Sequence, residues 1–270
     1  MSALEAIDAW PAAHAGVAVL TPSGEVVRHG ETAVAGELAS VTKPIAAYAI
    51  LLGVEEGAVT LDDPAGPPGA TLRHLLAHTA GYGFESDAGV LARPGARRIY
   101  SNRGIEEAAA HLEQAAGVPF ADYLHEAVLA PLGMTSTTLE GSPAFAGRSS
   151  VDDLALFAAE LLEPRLLHPE TVAQMTGVQF PGLAGVLPGH GRYSPLDWGL
   201  GVELNFGRVG HWGGTLLPAT TFGHFGGAGT WLWVDRPRRL ACVGVTDHPF
   251  DQWAASAWPP FMDGVVRAFG

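Results

Sequence analysis

The sequence predicts an α/β (α+β) fold. One antiparallel sheet is assembled from both chain ends and flanked by terminal helices, with an all-helical lobe inserted between them. Three observations predict it. Short apolar runs of strand character lie at 16–20 and 25–29, and again late in the chain at 198–204, 230–235 and 240–246. Between about 60 and 170, apolar residues instead recur at three- and four-residue intervals, punctuated by proline and glycine. Helix-like segments stand at 3–13 and 252–269, one at each end. The implied division places 1–60 and 171–270 in a sheet lobe and 61–170 in a helical lobe. Together they form one compact domain with a cleft between the lobes, where ligand sites tend to form.

Taken in order, Thr21-Pro-Ser-Gly24 has turn composition and joins the first two strands as a hairpin. The stretch 41–57 is rich in Ala, Ile and Leu at helical spacing and stops at Gly57. Pro44 belongs in the first turn of that helix, so Ser40 lies at or just before its N-terminus. Further helices are expected over 71–79, 102–116, 119–129 and 150–162. Ser150, with Asp153 three residues on, resembles a capping box. Arg236-Pro-Arg-Arg239 joins the last two strands, and Pro259-Pro260 is expected to break or kink the closing helix.

Composition narrows the function. Hydrophobic residues make up 47% and charged residues 16%, enough apolar material for a sizeable core. Fifteen Lys+Arg against 28 Asp+Glu leave a net charge of −13, which argues against nucleic acid or an anionic membrane as the main partner. No apolar run approaches the roughly 18 residues of a membrane span. The first residues carry acids where an export signal carries cations, so the expected location is cytoplasmic. A single cysteine, Cys242, excludes an intrachain disulfide framework and a multi-cysteine metal site. Fourteen of the fifteen cations are arginine; the one lysine is Lys43.

That lysine opens the first of three constellations. In Ser40-Val-Thr-Lys43, three-residue spacing on a helix brings a hydroxyl and an amine to one face. A serine becomes a useful nucleophile when a neighbouring base takes its proton, and a desolvated lysine can be that base. The bland alternative is an N-cap serine followed by a surface lysine. The second constellation is Tyr100-Ser-Asn102. A tyrosine facing an amine has its phenolate favoured and can relay protons, whereas Asn102 read alone is a good N-cap. The third is Gly223-His-Phe-Gly-Gly-Ala-Gly229, ahead of the 230–235 strand. Its glycines permit close backbone approach, an N–H there can face an oxyanion, and His224 can orient a substrate or tune a proton transfer. Read alone, it is a glycine-rich loop with an incidental histidine. His74 and His78 share a helical face as a metal pair would, but the glutamate of a zinc-protease helix and a third ligand are missing, so no metal and no cofactor are expected. The nucleophile elbow of α/β-hydrolases and the phosphate-binding P-loop are absent from the sequence.

The order Ser-x-x-Lys, Tyr-x-Asn, His-x-Gly resembles the serine β-lactamase and penicillin-binding-protein superfamily, and within it the class C β-lactamase-like branch with its family VIII esterases. Supporting segments are Thr71-Leu-Arg-His-Leu-Leu-Ala-His-Thr79 with Gly81, Pro94-Gly95, and Leu129-Ala-Pro-Leu-Gly-Met-Thr135. The resemblance implies that Ser40 is acylated and that Lys43 is the base or keeps Tyr100 deprotonated. It implies that Tyr100 shuttles protons and that Asn102 holds Lys43 and the substrate. The N–H groups of Ser40 and Gly227 would form the oxyanion hole, and His224, Phe225 and Gly226 would contact substrate. Where β-lactamases of the family carry Lys-Thr-Gly, this chain has His224-Phe225-Gly226, which disfavours an anionic substrate and favours a neutral ester or amide. The leading expectation is a carboxylesterase on small or medium acyl esters. Acyl transfer, D-amino-acid peptidase or β-lactamase activity on the same scaffold, and a non-hydrolytic binding or sensor module, are the alternatives.

Overall fold

The computed structural model describes residues 3–187, 191–204, 206–208 and 210–270; Asn205 lies outside them. The chain opens with 3-10 turns over Ala3–Ala9, shorter than the helix expected over 3–13. Trp10 precedes Pro11, and a residue before proline is driven out of helical backbone. Strands β1 (Ala15–Leu20) and β2 (Val26–Gly30) form the hairpin, with Gly24 at φ 85° in the turn. After the short β3 (Gly36–Glu37), one 3-10 turn, Ala39–Val41, leads into α1 (Thr42–Glu55). Helix α1 is buried from Thr42 to Gly53 on every side, as expected of a helix that is apolar all round.

Helix α2 (Leu72–Leu76) ends earlier than the periodicity suggests, because His78 adopts left-handed backbone at φ 56°. His78 therefore leaves the helical face it was expected to share with His74. Strand β4 (Arg98–Ile99) precedes α3 (Asn102–Ala116), which is capped by Ser101 and closed by Gly117 at φ 70°. Over 119–129 the chain forms α4 (Phe120–Leu124), then a π-helical turn His125–Leu129 that runs into α5 (Ala130–Leu132). Strands β5 (Thr138–Leu139) and β6 (Gly147–Ser149) join β3 in a small sheet. Helix α6 (Val151–Leu162) starts where the capping pattern placed it, with the Asp153 N–H donating to the Ser150 hydroxyl at 3.1 Å. Next come α7 (Pro169–Met175), then β7 (Gly185–Leu187) and β8 (Gly191–Tyr193); β7 pairs with β4 on one side and β8 on the other. Last are β9 (Phe222–Gly226), β10 (Thr230–Asp235), β11 (Leu240–Thr246) and α8 (Gln252–Phe269).

The main sheet has the order β2-β1-β11-β10-β9 with every pair antiparallel, and the β1–β11 pair joins the two chain ends. Period-two alternation divides its side chains between two cores. Ala18, Leu20, Leu232, Val234, Ala241 and Val243 face α1 and α6. Val17, Val19, Trp231, Trp233 and Cys242 face α8 and the N-terminal turns. Both faces are covered, so β10 and β11 are buried throughout.

Two expectations are corrected. The run 198–204 is not a strand but a turn held by single bridges, Trp198 to Glu203 and Glu203 to Gly223. Gly201, at φ 75°, is the cause: its N–H donates to the Leu76 carbonyl at 2.9 Å, and a Cβ there would collide with Ala47 of α1. Pro259 and Pro260 do not interrupt α8. Burial of Trp258, Phe261, Met262 and Val265 in the second core outweighs the hydrogen bonds lost to proline. Among the described residues no helix is long and apolar enough to cross a membrane.

Candidate active site

Ser40 sits in the 3-10 turn just before α1, behind Ala39 at φ 44°. Left-handed backbone costs a non-glycine residue about 1–2 kcal/mol, so the turn needs anchoring. Thr230 Oγ1 of β10 donates to the Leu38 carbonyl at 2.7 Å, and Gly226 of β9 lies so close that a Cβ would strike that same carbonyl. The glycine of the third motif is thereby explained by backbone approach.

Lys43, the second residue of α1, is fully buried. Its Nζ lies 2.7 Å from Asn102 Oδ1, 2.8 Å from the Ala144 carbonyl oxygen and 3.1 Å from Ser40 Oγ. The first two are acceptors only. A neutral amine has two N–H bonds and one lone pair, so with both N–H bonds engaged the lone pair faces the serine hydroxyl. Burial among neutral groups pulls the Lys43 pKa down to about 7, with Glu106 opposing weakly, so a large share of the amine is unprotonated near neutrality. Glu106 itself accepts from Ser86 at 2.7 Å and from Ser142.

Tyr100 is buried, with its hydroxyl in hydrogen bonds to Ser40 and His224. Burial raises its phenol pKa above the usual value, and the Ser40 hydrogen bond offsets little of that. The phenolate expected beside an amine is thus disfavoured: Lys43 can shed its own charge, and desolvation then keeps the tyrosine protonated. His224 fixes the direction of that proton. Its Nδ1 is 2.6 Å from the Phe225 carbonyl, an obligate acceptor, so Nδ1 carries the hydrogen. Nε2, 3.1 Å from the Tyr100 hydroxyl, then accepts from tyrosine, which leaves the tyrosine oxygen to accept from Ser40. The single serine hydrogen thus points either to Tyr100 or to the Lys43 lone pair, not to both at once. Burial, then Lys43, lower the His224 pKa to about 3, and the ring is neutral.

Asn102 is the first residue of α3, while Ser101 is the cap, accepting the Gly104 N–H at 3.1 Å. The asparagine side chain is therefore available to Lys43. Phe225 alternates to the other side of β9 and packs with Phe250 and Trp212 at ring separations of 4.8 and 5.9 Å, in the second core. Gly227 follows β9; its carbonyl accepts the Phe250 N–H at 2.9 Å, and the space over its Cα is open. A cavity of about 350 Å³ adjoins this turn between Gly36, Arg148, Ala228 and Val245, and Ser40 is not among its walls. His74 Nδ1 is engaged at the start of its own helix by Thr71, and its ring stacks 4.4 Å from Phe180, so it does not converge with His78.

Sequence reasoning missed three contributors. Ala144 acts through a main-chain carbonyl, which no side-chain identity encodes. Arg98 is buried and donates to the carbonyls of Ala77, Gln179, Phe180 and Leu196, tying together the segments around Tyr100. Glu203 is buried on the chain segment bridged to β9, bonded to Arg208 at 2.9 Å, His211 at 3.1 Å and the Trp212 indole at 3.0 Å. An acid inside the apolar run 198–204 was its only signal.

A hydroxyl facing an amine lone pair on an α+β scaffold of this topology is the arrangement of a serine hydrolase that works without an imidazole base. The Beta-lactamase family model matches residues 13–263, and the chain belongs to that family. A β-lactamase from Mycobacterium bovis is 47% identical, with a TM-score of 0.96 over 99% of each chain. Penicillin-binding protein 4* of Bacillus subtilis (strain 168) is 30% identical over 133 residues, 37% of this chain and 30% of that protein. The match thus spans less than a third of that relative's length. EstCE1, described as a hydrolase with promiscuous acyltransferase activity, shares the fold at TM-score 0.79 and 19% identity, over 99% of this chain and 96% of that one.

Proposed function

We propose that the chain hydrolyses small or medium acyl esters through an acyl-enzyme on Ser40. The observation that carries this reading is the Lys43 amine, with two acceptors taking its N–H bonds and the serine at its lone pair. In the proposed cycle Lys43 takes the Ser40 proton as Oγ bonds to the substrate carbonyl carbon. The N–H groups of Ser40 and Gly227 face the developing oxyanion. The C–O bond to the alcohol breaks, and the alcohol leaves with a proton supplied by the Lys43 ammonium or by Tyr100. Water then attacks the acyl-serine, a proton returns to Ser40, and the acid departs. The sheet lobe (1–60 and 171–270) supplies Ser40, Lys43, His224, Gly226 and Gly227 to the cleft. The helical lobe (61–170) supplies Tyr100, Asn102 and Ala144.

The choice of a neutral ester rests on charge. His224 is neutral at the position where relatives carry lysine, so the third motif offers no cation for the carboxylate of a penicillin or a peptide C-terminus. Transfer of the acyl group to an alcohol or amine acceptor is the second reading, supported by the acyltransferase side activity in EstCE1's description. Turnover of p-nitrophenyl acetate or butyrate, lost in Ser40→Ala, tests the first reading, together with an acyl mass increment on Ser40. Equal rates for wild type and Ser40→Ala refute it. A transfer product exceeding free acid when an acceptor is added selects the second.

A further inference from the structure

We propose that His78 is a positioning residue for Tyr100, gripping the main chain on both sides of it; the inference rests on the role proposed for Tyr100. The His78 carbonyl accepts the Ile99 N–H at 2.9 Å, and its Nδ1 accepts the Ser101 N–H at 3.2 Å. One residue therefore holds the amide before Tyr100 and the amide after it. Its ring lies against the tyrosine, centroids 4.6 Å apart, and meets Trp198 edge-on at 5.1 Å. Phe84 stacks on Tyr100 at 5.7 Å, and Arg98 holds the Ala77 carbonyl one residue before His78. The grip reaches the next residue too, because Asn102, which carries the acceptor for Lys43, directly follows Ser101.

Three features separate positioning from packing. His78 is 2% exposed yet holds left-handed backbone, which a residue kept only for its ring does not need. A backbone N–H can only donate, so Nδ1 is unprotonated and the neutral ring carries its hydrogen on Nε2. That Nε2 is buried and has no partner among the described residues, a cost that an apolar ring would avoid. Burial, then Lys43, His224 and Arg98, hold its pKa well below the usual value, so the ring brings no charge next to the amine.

His78→Asn, His78→Gly and His78→Phe test the inference. Asparagine and glycine both tolerate the backbone at φ 56°, and asparagine alone returns an acceptor on the γ-branch where Nδ1 sits. Phenylalanine keeps the ring without the acceptor. For p-nitrophenyl butyrate, His78→Asn is expected within about fivefold of the wild-type kcat. The other two are expected to fall about 100-fold, with KM changed less than about twofold, as for a displacement of about 1 Å. Amide exchange at Ser101 should quicken in the glycine and phenylalanine variants and stay slow with asparagine. If asparagine is no better than glycine, or phenylalanine alone keeps the wild-type rate, the inference is overturned, and the Asn–Gly pair decides should the phenylalanine variant not fold. The exchange readout needs no turnover. A failure of Ser40 as nucleophile, read from Ser40→Ala, is thus distinguishable from a failure of the clamp.

Discussion

Lys43 and Glu203 are both fully buried, within reach of the same strand β9, and they end in opposite states. Lys43 meets only neutral partners: an amide oxygen, a carbonyl and a hydroxyl. No carboxylate touches it, and desolvation outweighs the more distant Glu106, so its pKa is pulled down to about 7. Burial alone would raise the Glu203 carboxyl as well, but His211, Arg208 and the Trp212 indole outweigh it and hold the pKa at about 2. The difference teaches that burial does not decide ionisation; the partners do. A buried charge given donors becomes a structural joint, and one denied counterions becomes a base.

The largest break in that comparison is Lys43→Arg. A guanidinium keeps its proton, so the site would hold a permanent charge and no lone pair for Ser40. The expected loss is about 10³- to 10⁴-fold in kcat for an activated ester, with no acyl mass increment on Ser40. Retained turnover would mean that another group takes the serine proton. Glu203→Gln should do the opposite, sparing chemistry and removing stability. The largely buried Arg208 and the buried His211 would lose their anion, at a cost of about 3–5 kcal/mol. The melting temperature is expected to fall by roughly 6–20 °C for a chain of this size, while the rate per folded molecule stays near wild type.

The same carboxylate sets an acid limit. Its folded pKa, about 2, lies below the unbound value of 4.5, so its contribution is fully present above pH 4.5 and is lost as pH falls through 2. Denaturant unfolding between pH 5 and 2 should show a decline on the order of 3 kcal/mol from this group, and Glu203→Gln should flatten it.

How much of this was legible in the sequence follows from which groups act. Lys43 stood out because arginine fills all fourteen of the other Lys/Arg positions and cannot serve as a base. The β10 and β11 segments were readable as unbroken apolar runs between turns, because both faces of the main sheet are covered. The β9 segment resisted, since glycines that admit close backbone, Gly223 that of β10 and Gly226 the Leu38 carbonyl, also erase strand propensity. Glu203 resisted for another reason: its partners Arg208, His211 and Trp212 come from a following loop whose path no periodicity encodes. The capping role read onto Asn102 belongs to Ser101, a one-residue shift typical of helix ends, and here that shift decides whether the asparagine reaches Lys43.

That shift allows the finest test, which is to give Lys43 the counterion it lacks. In wild type the base is the neutral amine, so the acylation rate should fall about tenfold per pH unit below about 7 and level off above it. Asn102→Asp places a carboxylate at the 2.7 Å contact and favours the ammonium, moving the limb up by about 1–3 units. At pH 7 the variant should be at least about fivefold slower, and it should recover most of the wild-type rate once the pH passes the shifted limb. Recovery at high pH separates a retuned base from a displaced one, because a misplaced amine stays slow at every pH. An unmoved limb would show that the amine does not set the pH dependence, and the contrast between Lys43 and Glu203 would then be structural rather than catalytic.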